Sequence, residues 1–244
     1  MNGASPAMLA EAITATWPPA SVQDLGPFRV AKGEGGGNRV SAARLRDAVS
    51  DGAPVTVADI GAASEEQRAI GQDPLFMVFD WQQPLDRLLA AEGYSTRDAT
   101  DMLCSNVATV AAAPPPVTCF DIWPPLAVQE EIWAAGGIGP ARLAIMHRAV
   151  GTKTTIFGRM KDRPAGTAFV AIHDGIAMLH AVEIAQRARR QGLARTMVQA
   201  AGHWAARRGA SLLATLVTKE NVAAQALYAS LGLQPVGQYH YRAK

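Results

Sequence analysis

A chain of 244 residues, 49% of them hydrophobic, is long enough to bury a substantial core in one large domain or two small ones. Its net charge of +2, with charged residues at 18% and scattered, is too mild for a nucleic-acid-binding face, which needs cations concentrated on one surface. The two cysteines, Cys104 and Cys119, are too few for a disulfide framework, and no apolar run reaches bilayer length. The reading is a soluble chain of a reducing, cytoplasmic compartment, with both thiols acting as small hydrophobes and no membrane or nucleic-acid partner.

The first nineteen residues lack the basic-then-apolar pattern of a secretory signal. Residues 28–32 and 39–45 read as strands, with Gly33, Gly35, Gly36 and Gly37 turning the chain between them. That glycine group lacks the Lys-Ser/Thr ending of a phosphate loop, so a hairpin turn is expected. Residues 65–70 look like the end of a helix, 75–79 like an apolar strand, and 85–92 like a helix stopped by Gly93. Three alanines and three prolines at 111–116 form a stiff linker that divides the chain nearly in half. Beyond it, 117–121 reads as a short strand, 126–135 as a helix closed by Gly136 and Gly137, and 140–149 as a second helix with Pro140 in its first turn. Strands follow at 154–160, 165–172 and 176–184, the last two joined by the turn pair Asp174-Gly175. After Gly192 the apolar period changes from two to about 3.6, marking a helix through Trp204 towards Gly209. A strand at 212–217, a helix from the N-cap Asn221 to Leu231 with Gly232 beyond its end, and a strand at 233–241 complete the order.

Two segments carry chemistry. In the first, Ile184, Ala185, Gln186, Arg187, Ala188, Arg189, Arg190, Gln191, Gly192, Leu193 and Ala194 lead from a buried strand through a turn into a helix. Backbone N–H groups at such a helix start lack intrahelical partners and carry the positive end of the dipole, which suits a phosphate. Gly192 and Ala194 leave that backbone open, and Arg189, Arg190 and Arg195 add positive charge. The same residues also read as an ordinary turn with solvated arginines. In the second segment, Asn221, Ala224, Leu227, Tyr228, Gly232 and Leu233 place a phenol near a helix end, with Ala224 and Tyr228 on one face. An isolated tyrosine there is usually packing.

Taken together, in this order and spacing, the two segments resemble the Gcn5-related N-acetyltransferase (GNAT) family. Arg189-x-x-Gly192-x-Ala194 matches its pyrophosphate loop, and Asn221 through Leu233 matches its second signature. The element order over the C-terminal half matches as well, which implies an α/β (α+β) GNAT fold with a mixed central sheet flanked by helices. The resemblance implies acetyl-CoA as cofactor and direct attack by an amine of a small molecule or peptide in a ternary complex; no metal is expected. Ile184, Gln186, Arg189, Arg190, Gln191, Gly192, Leu193, Ala194, Arg195, Asn221, Ala224 and Tyr228 would hold the cofactor. The strands 176–184 and 212–217 would be parallel neighbours that splay, with the pantetheine arm in the gap, a backbone N–H near Ile184 polarising the thioester, and Tyr228 protonating the thiolate. Ribosomal-protein acetyltransferases of the family carry a Glu where this chain has Leu216. Base candidates are therefore His180, Glu183 and His147. Alternation along a regular strand puts His180 and Glu183 on opposite faces.

Residues 85–94 echo the second signature, Gly93 aligning with Gly232 and Leu89 with Tyr228. The expectation is a tandem arrangement: a degenerate GNAT-like domain over 1–113, without a phosphate loop, and a catalytic GNAT domain over 117–244. A silent acyl-CoA-binding sensor is the alternative function.

Overall fold

The computed structural model describes residues 4–46 and 54–244. The chain opens with helix α1 (Pro6–Thr16), strands β1 (Ser21–Leu25) and β2 (Phe28–Lys32), the one-turn helix α2 (Asn38–Ser41) and the short strand β3 (Arg44–Leu45). Then come α3 (Val57–Ala69), β4 (Leu75–Phe79), α4 (Gln83–Ala91), β5 (Ser95–Asn106) and the one-turn α5 (Val107–Val110). The remainder runs β6 (Cys119–Ile122), α6 (Ala127–Ala135), α7 (Pro140–Arg148), β7 (Lys153–Met160), β8 (Arg163–His173), β9 (Ile176–Ile184), α8 (Leu193–Ala206), β10 (Leu212–Thr218), α9 (Val222–Ser230) and β11 (Gln234–Ala243).

Internal contacts sort the chain into two units, Met1–Pro18 with Met102–Val236, and Pro19–Asp101 with Gly237–Lys244. They do not break at the alanine–proline linker. The Ala112 amide donates to the Gln199 carbonyl of α8, and a Cβ on Gly202 would come within 3.2 Å of Ala111 backbone atoms. The linker is thus packed against α8 inside the first unit.

In the first unit the strand order is β5-β10-β9-β8-β7-β6. β6 through β9 pair antiparallel, whereas β9 and β10 pair parallel, so the sheet is mixed and flanked by helices. On one face α6 is held by Gln129, fully buried, whose Nε2 donates to the hydroxyls of Thr155 (2.8 Å) and Thr167 (3.1 Å) on adjacent strands. On the other face Leu193 and Met197 of α8 lie over Gly158 and Gly166, which are register partners on β7 and β8. A Cβ on Gly166 would fall 2.6 Å from Met197 Sδ, 2.8 Å from Ile184 Cδ1 and 3.2 Å from the Glu183 carbonyl oxygen. Gly166→Ala should therefore lower stability by about 1–3 kcal/mol through overpacking, read as a lower denaturation midpoint.

In the second unit β1, β2 and β3 form a small antiparallel sheet, and β4 pairs antiparallel with β11. The glycine turn does bring the chain back, since Phe28 faces Leu45 and Arg29 faces Arg44, but residues 39–45 are not one strand. Asn38–Ser41 coils into a helical turn, and the Gln72 side chain holds the loop by accepting from the Gly33 amide (2.7 Å) and donating to the Ala31 carbonyl (2.8 Å). A side chain 39 residues away decides that conformation. Asp86 on α4 accepts from His240 Nε2 (2.7 Å) and Arg242 Nε (2.8 Å) of β11. The bond from Arg242, with help from His240 against the cost of burial, holds its carboxyl below the ordinary 3.8. A depressed carboxylate contributes stability that is full above the unfolded value and lost as pH falls through the folded one. Asp86→Asn should lower stability by about 1–2 kcal/mol at pH 7 and flatten the acid limb below pH 4, checked by denaturant titration across pH.

Candidate active site

The register of β9 and β10 ends at Leu179↔Thr215, although β9 continues to Ile184 and β10 to Thr218. At this last rung the Thr215 hydroxyl donates to the Leu179 carbonyl (3.0 Å) and shares a hydrogen bond with the Tyr228 hydroxyl. Tyr228 is buried on α9, and burial pushes its phenol above the ordinary 10.0, with the Thr215 contact acting in the opposite sense. Ala224 sits one turn earlier on the same helix, half-buried, and the Asn221 side chain caps that helix by accepting from the Ala224 amide (3.1 Å). Small side chains and a phenol thus border the place where two parallel strands stop pairing.

A β-bulge at Ala181 lies opposite this parting. Ala181 has φ +51°, and the β8–β9 register moves from Phe169↔His180 to Thr167↔Glu183, three residues on β9 against two on β8. The extra residue turns the Ala181 carbonyl out of the ladder, where it accepts from Trp133 Nε1 of α6 (2.7 Å). It also resets the alternation. His180 and Glu183 face partners two apart on β8, so both lie on the α1/α6 face rather than on opposite faces as a regular strand requires.

The two side chains nevertheless have different surroundings. His180 is buried between Trp17 (ring centroids 5.0 Å) and Phe169 (6.2 Å). The Thr16 hydroxyl donates to the Ala12 carbonyl (2.6 Å), so it meets His180 Nε2 at 2.9 Å as an acceptor and places the proton on Nε2. Glu183 reaches the end of α6, where a Cβ on Gly136 would lie 2.5 Å from Oε2; only glycine leaves room for the carboxylate. Its Oε1 accepts from Arg189 Nη2 at 3.0 Å, and Arg189 Nε donates to the Ile184 carbonyl at 3.0 Å. His147 is exposed on α7, its ring 5.1 Å from that of Trp123. Leu216 is half-buried on β10, a position that offers no proton acceptor.

Between β9 and α8 the chain makes a 3₁₀ turn over Gln186–Ala188, anchored by buried Ala188. Arg190 (φ +61°) and Gly192 (φ +86°) are left-handed, an arrangement that aims successive N–H groups the same way. Gly192 is the N-cap of α8 and no side chain caps that end, so the N–H groups of Leu193, Ala194 and Arg195 keep the donor capacity that a helix start leaves over. Arg195 Nη2 donates to Ser230 Oγ of α9 at 2.6 Å, and the Gln191 side chain donates to the Arg187 carbonyl (2.9 Å). The helix that follows the same pattern in the second unit, α3, differs here. Thr56 and Asp59 form a capping box, with Asp59 Oδ2 accepting from the Thr56 amide (2.9 Å) and hydroxyl (2.7 Å). Its N-terminus already carries a carboxylate.

The structure thus sets Glu183, Ile184, Arg189 and Gly192 along the end of β9 and the turn beyond it, Arg195 against α9, and Tyr228 at the last β9–β10 rung, with His147 and His180 on the α1/α6/α7 side. Thr215, Trp133 and the Ala181 bulge had no signal in the sequence beyond a threonine, a tryptophan and an alanine in apolar runs. The two thiols are pushed up to about 11 by burial, which removes Cys104 and Cys119 as nucleophiles near neutral pH. No described helix is long and apolar enough to cross a membrane.

Residues 120–233 match the acetyltransferase (GNAT) family. Over 90 residues the chain is 33% identical to the uncharacterized N-acetyltransferase YobR of Bacillus subtilis (strain 168), a stretch that spans 36% of each protein. In fold it is similar to a GCN5-related N-acetyltransferase from Kribbella flavida (TM-score 0.73, 18% identity, 100% of this chain and 96% of the other). It is also similar to a tandem GNAT protein from the clavulanic acid biosynthesis pathway (TM-score 0.63, 16% identity, 100% and 89%) and to a GCN5-related N-acetyltransferase from Sphaerobacter thermophilus (TM-score 0.63, 14% identity, 96% and 85%). These structural likenesses speak for the fold. The family match, over residues 120–233, takes in the end of β9, the loop and the tyrosine helix, so it is to the acetyltransferase (GNAT) family that this part of the chain is similar.

Proposed function

We propose that the chain is an N-acetyltransferase that moves an acetyl group from acetyl-CoA to a primary amine of a small molecule or peptide, in a ternary complex. The observation that carries this reading is the parting of β9 and β10 beside an uncapped helix N-terminus, with the Tyr228 hydroxyl at the last paired rung. Acetyl-CoA supplies an activated acyl thioester. The N–H groups of Gly192, Leu193 and Ala194 receive its pyrophosphate, with Arg189, Arg190, Gln191 and Arg195 around it. The unpaired edge of β9 at Ile184, with Gln186 in the turn just beyond it, orients the pantetheine arm, and a backbone N–H there polarises the carbonyl. Tyr228, kept protonated by burial, gives its proton to the departing sulfur. Of the base candidates, Glu183 is favoured over His180, because its carboxylate lies at the end of β9 while the His180 ring is buried against α1. The Arg189 contact and Leu216 favour the second reading, a catalytically silent acyl-CoA sensor.

Thiol release from acetyl-CoA across a panel of amines separates the two. Turnover on at least one amine supports the enzyme; none, with micromolar cofactor binding, supports the sensor.

The N-terminal segment, residues 1–113, is proposed as a degenerate second copy of the GNAT pattern. α4 and α9 are both nine residues and end alike, with Gly93 (φ +82°) and Gly232 (φ +85°), and with Tyr94 N–H on the Leu89 carbonyl (3.0 Å) and Leu233 N–H on the Tyr228 carbonyl (3.1 Å). Buried Leu89 stands where Tyr228 does, and the capped start of α3 stands where α8 is open. Calorimetric titration should accordingly give one acetyl-CoA per chain; two sites would remove the degenerate-copy reading.

A further inference from the structure

Two adjoining cavities, of about 290 Å³ and 380 Å³, open beside the loop on the side of the β7–β8 hairpin. They share Met160, Lys161 and Gln191, and the larger one reaches Gly192 and Leu193 at the start of α8. The smaller is lined by Lys161, Arg163 and Arg187 and by no carboxylate. Among the described residues no acidic side chain pairs with any of the three. The one carboxylate in the larger, Asp162, is taken by Arg159 Nη2 at 3.4 Å. Three cations gathered in one concavity repel each other, which is tolerable at an exposed surface but favours an anion between them.

The cluster is also held in place. The Arg187 guanidinium donates through Nη2 to the Pro164 carbonyl (2.5 Å), and the Gln191 amide secures the Arg187 carbonyl. Lys161 and Asp162 form the hairpin tip with φ +49° and +59°, which puts Lys161 and Arg163 at the rim. The trough therefore runs from the N–H groups of α8 to a separate cationic end that the pyrophosphate does not use.

We propose that this cationic end, Lys161, Arg163 and Arg187, receives the 3′-phosphate on the ribose of coenzyme A. A phosphate monoester carries close to two negative charges at neutral pH, more than each phosphate of a diphosphate ester, and so fits the denser cluster. The assignment rests on the acetyl-CoA reading. It predicts that the chain tells acetyl-CoA from its 3′-dephospho analogue, and that the distinction fades with salt because the cations are exposed.

Calorimetry with acetyl-CoA, acetyl-3′-dephospho-CoA and adenosine 3′,5′-bisphosphate tests it. In the wild type the dephospho analogue should bind roughly tenfold or more weakly than acetyl-CoA, and adenosine 3′,5′-bisphosphate should bind more tightly than AMP. In Arg163→Ala and in Lys161→Ala the gap should narrow, and in the double variant close, with affinity for the dephospho analogue unchanged. Equal affinity of the wild type for both thioesters, or variants that weaken both alike, overturns the 3′-phosphate subsite and leaves the cofactor reading standing. No binding of acetyl-CoA at all overturns the cofactor reading and this subsite together.

Discussion

Arg195→Asp is expected to abolish measurable acetyl-CoA binding, by 100-fold or more in Kd, without lowering the thermal midpoint. Arg195 is the third residue of α8, the position that Asp59 holds in α3. An acid there complements the helix dipole and contributes about 0.3–1 kcal/mol to the folded state. That gain offsets loss of the exposed contact to Ser230, which is worth little. For a pyrophosphate the same change removes one positive charge and adds one negative charge beside its oxygens, a juxtaposition that costs several kcal/mol. Binding and stability thus move independently, which a merely unfolded variant cannot imitate. Calorimetry and thermal denaturation on one preparation measure both. Retained affinity would show that the cofactor lies elsewhere than on α8.

Tyr228→Phe should reduce kcat by about 10–100-fold while the KM for acetyl-CoA stays within about twofold. The ring remains to fill its buried site, and only the proton donor at the last β9–β10 rung is removed. Because burial raises the Tyr228 pKa above 10.0, the phenol stays protonated through the ordinary range, and the wild-type kcat profile should show no falling limb from it below pH 10. A variant that changed KM and left kcat alone would assign Tyr228 to packing. Thr215→Val is the companion measurement, since Thr215 aligns the phenol and ties it to the Leu179 carbonyl.

Features governed by short stretches of chain were legible before any tertiary contact was known. Asp174-Gly175 turns β8 into β9, Asn221 caps α9 through the Ala224 amide, and Gly192 takes the left-handed conformation at the entry to α8. Each depends on one residue's φ or on a bond over three or four positions. Where a distant group intervenes, the local reading fails. Residues 39–45 alternate like a strand, yet Gln72, which holds the preceding glycine turn, also donates to the Ser41 carbonyl at 3.2 Å. The opposition of His180 and Glu183 followed correctly from strand periodicity and was undone by a single inserted residue. Ala181 carries no mark of a bulge in its sequence; Trp133 of α6, 48 residues away, accounts for its conformation.

Hydrophobic period, cap residues and left-handed glycines are local matters, so the succession of strand, glycine-bearing turn, open helix start and tyrosine helix is readable from the residues alone. Where β9 and β10 cease to pair, which carboxylate meets Arg189, and the sharing of one concavity by Lys161 and Arg163 of a hairpin with Arg187 of the loop emerge only once the elements are packed. Those outcomes depend on cross-strand register and on helices docking over the sheet. Both are long-range packing free energies to which no single segment commits the chain.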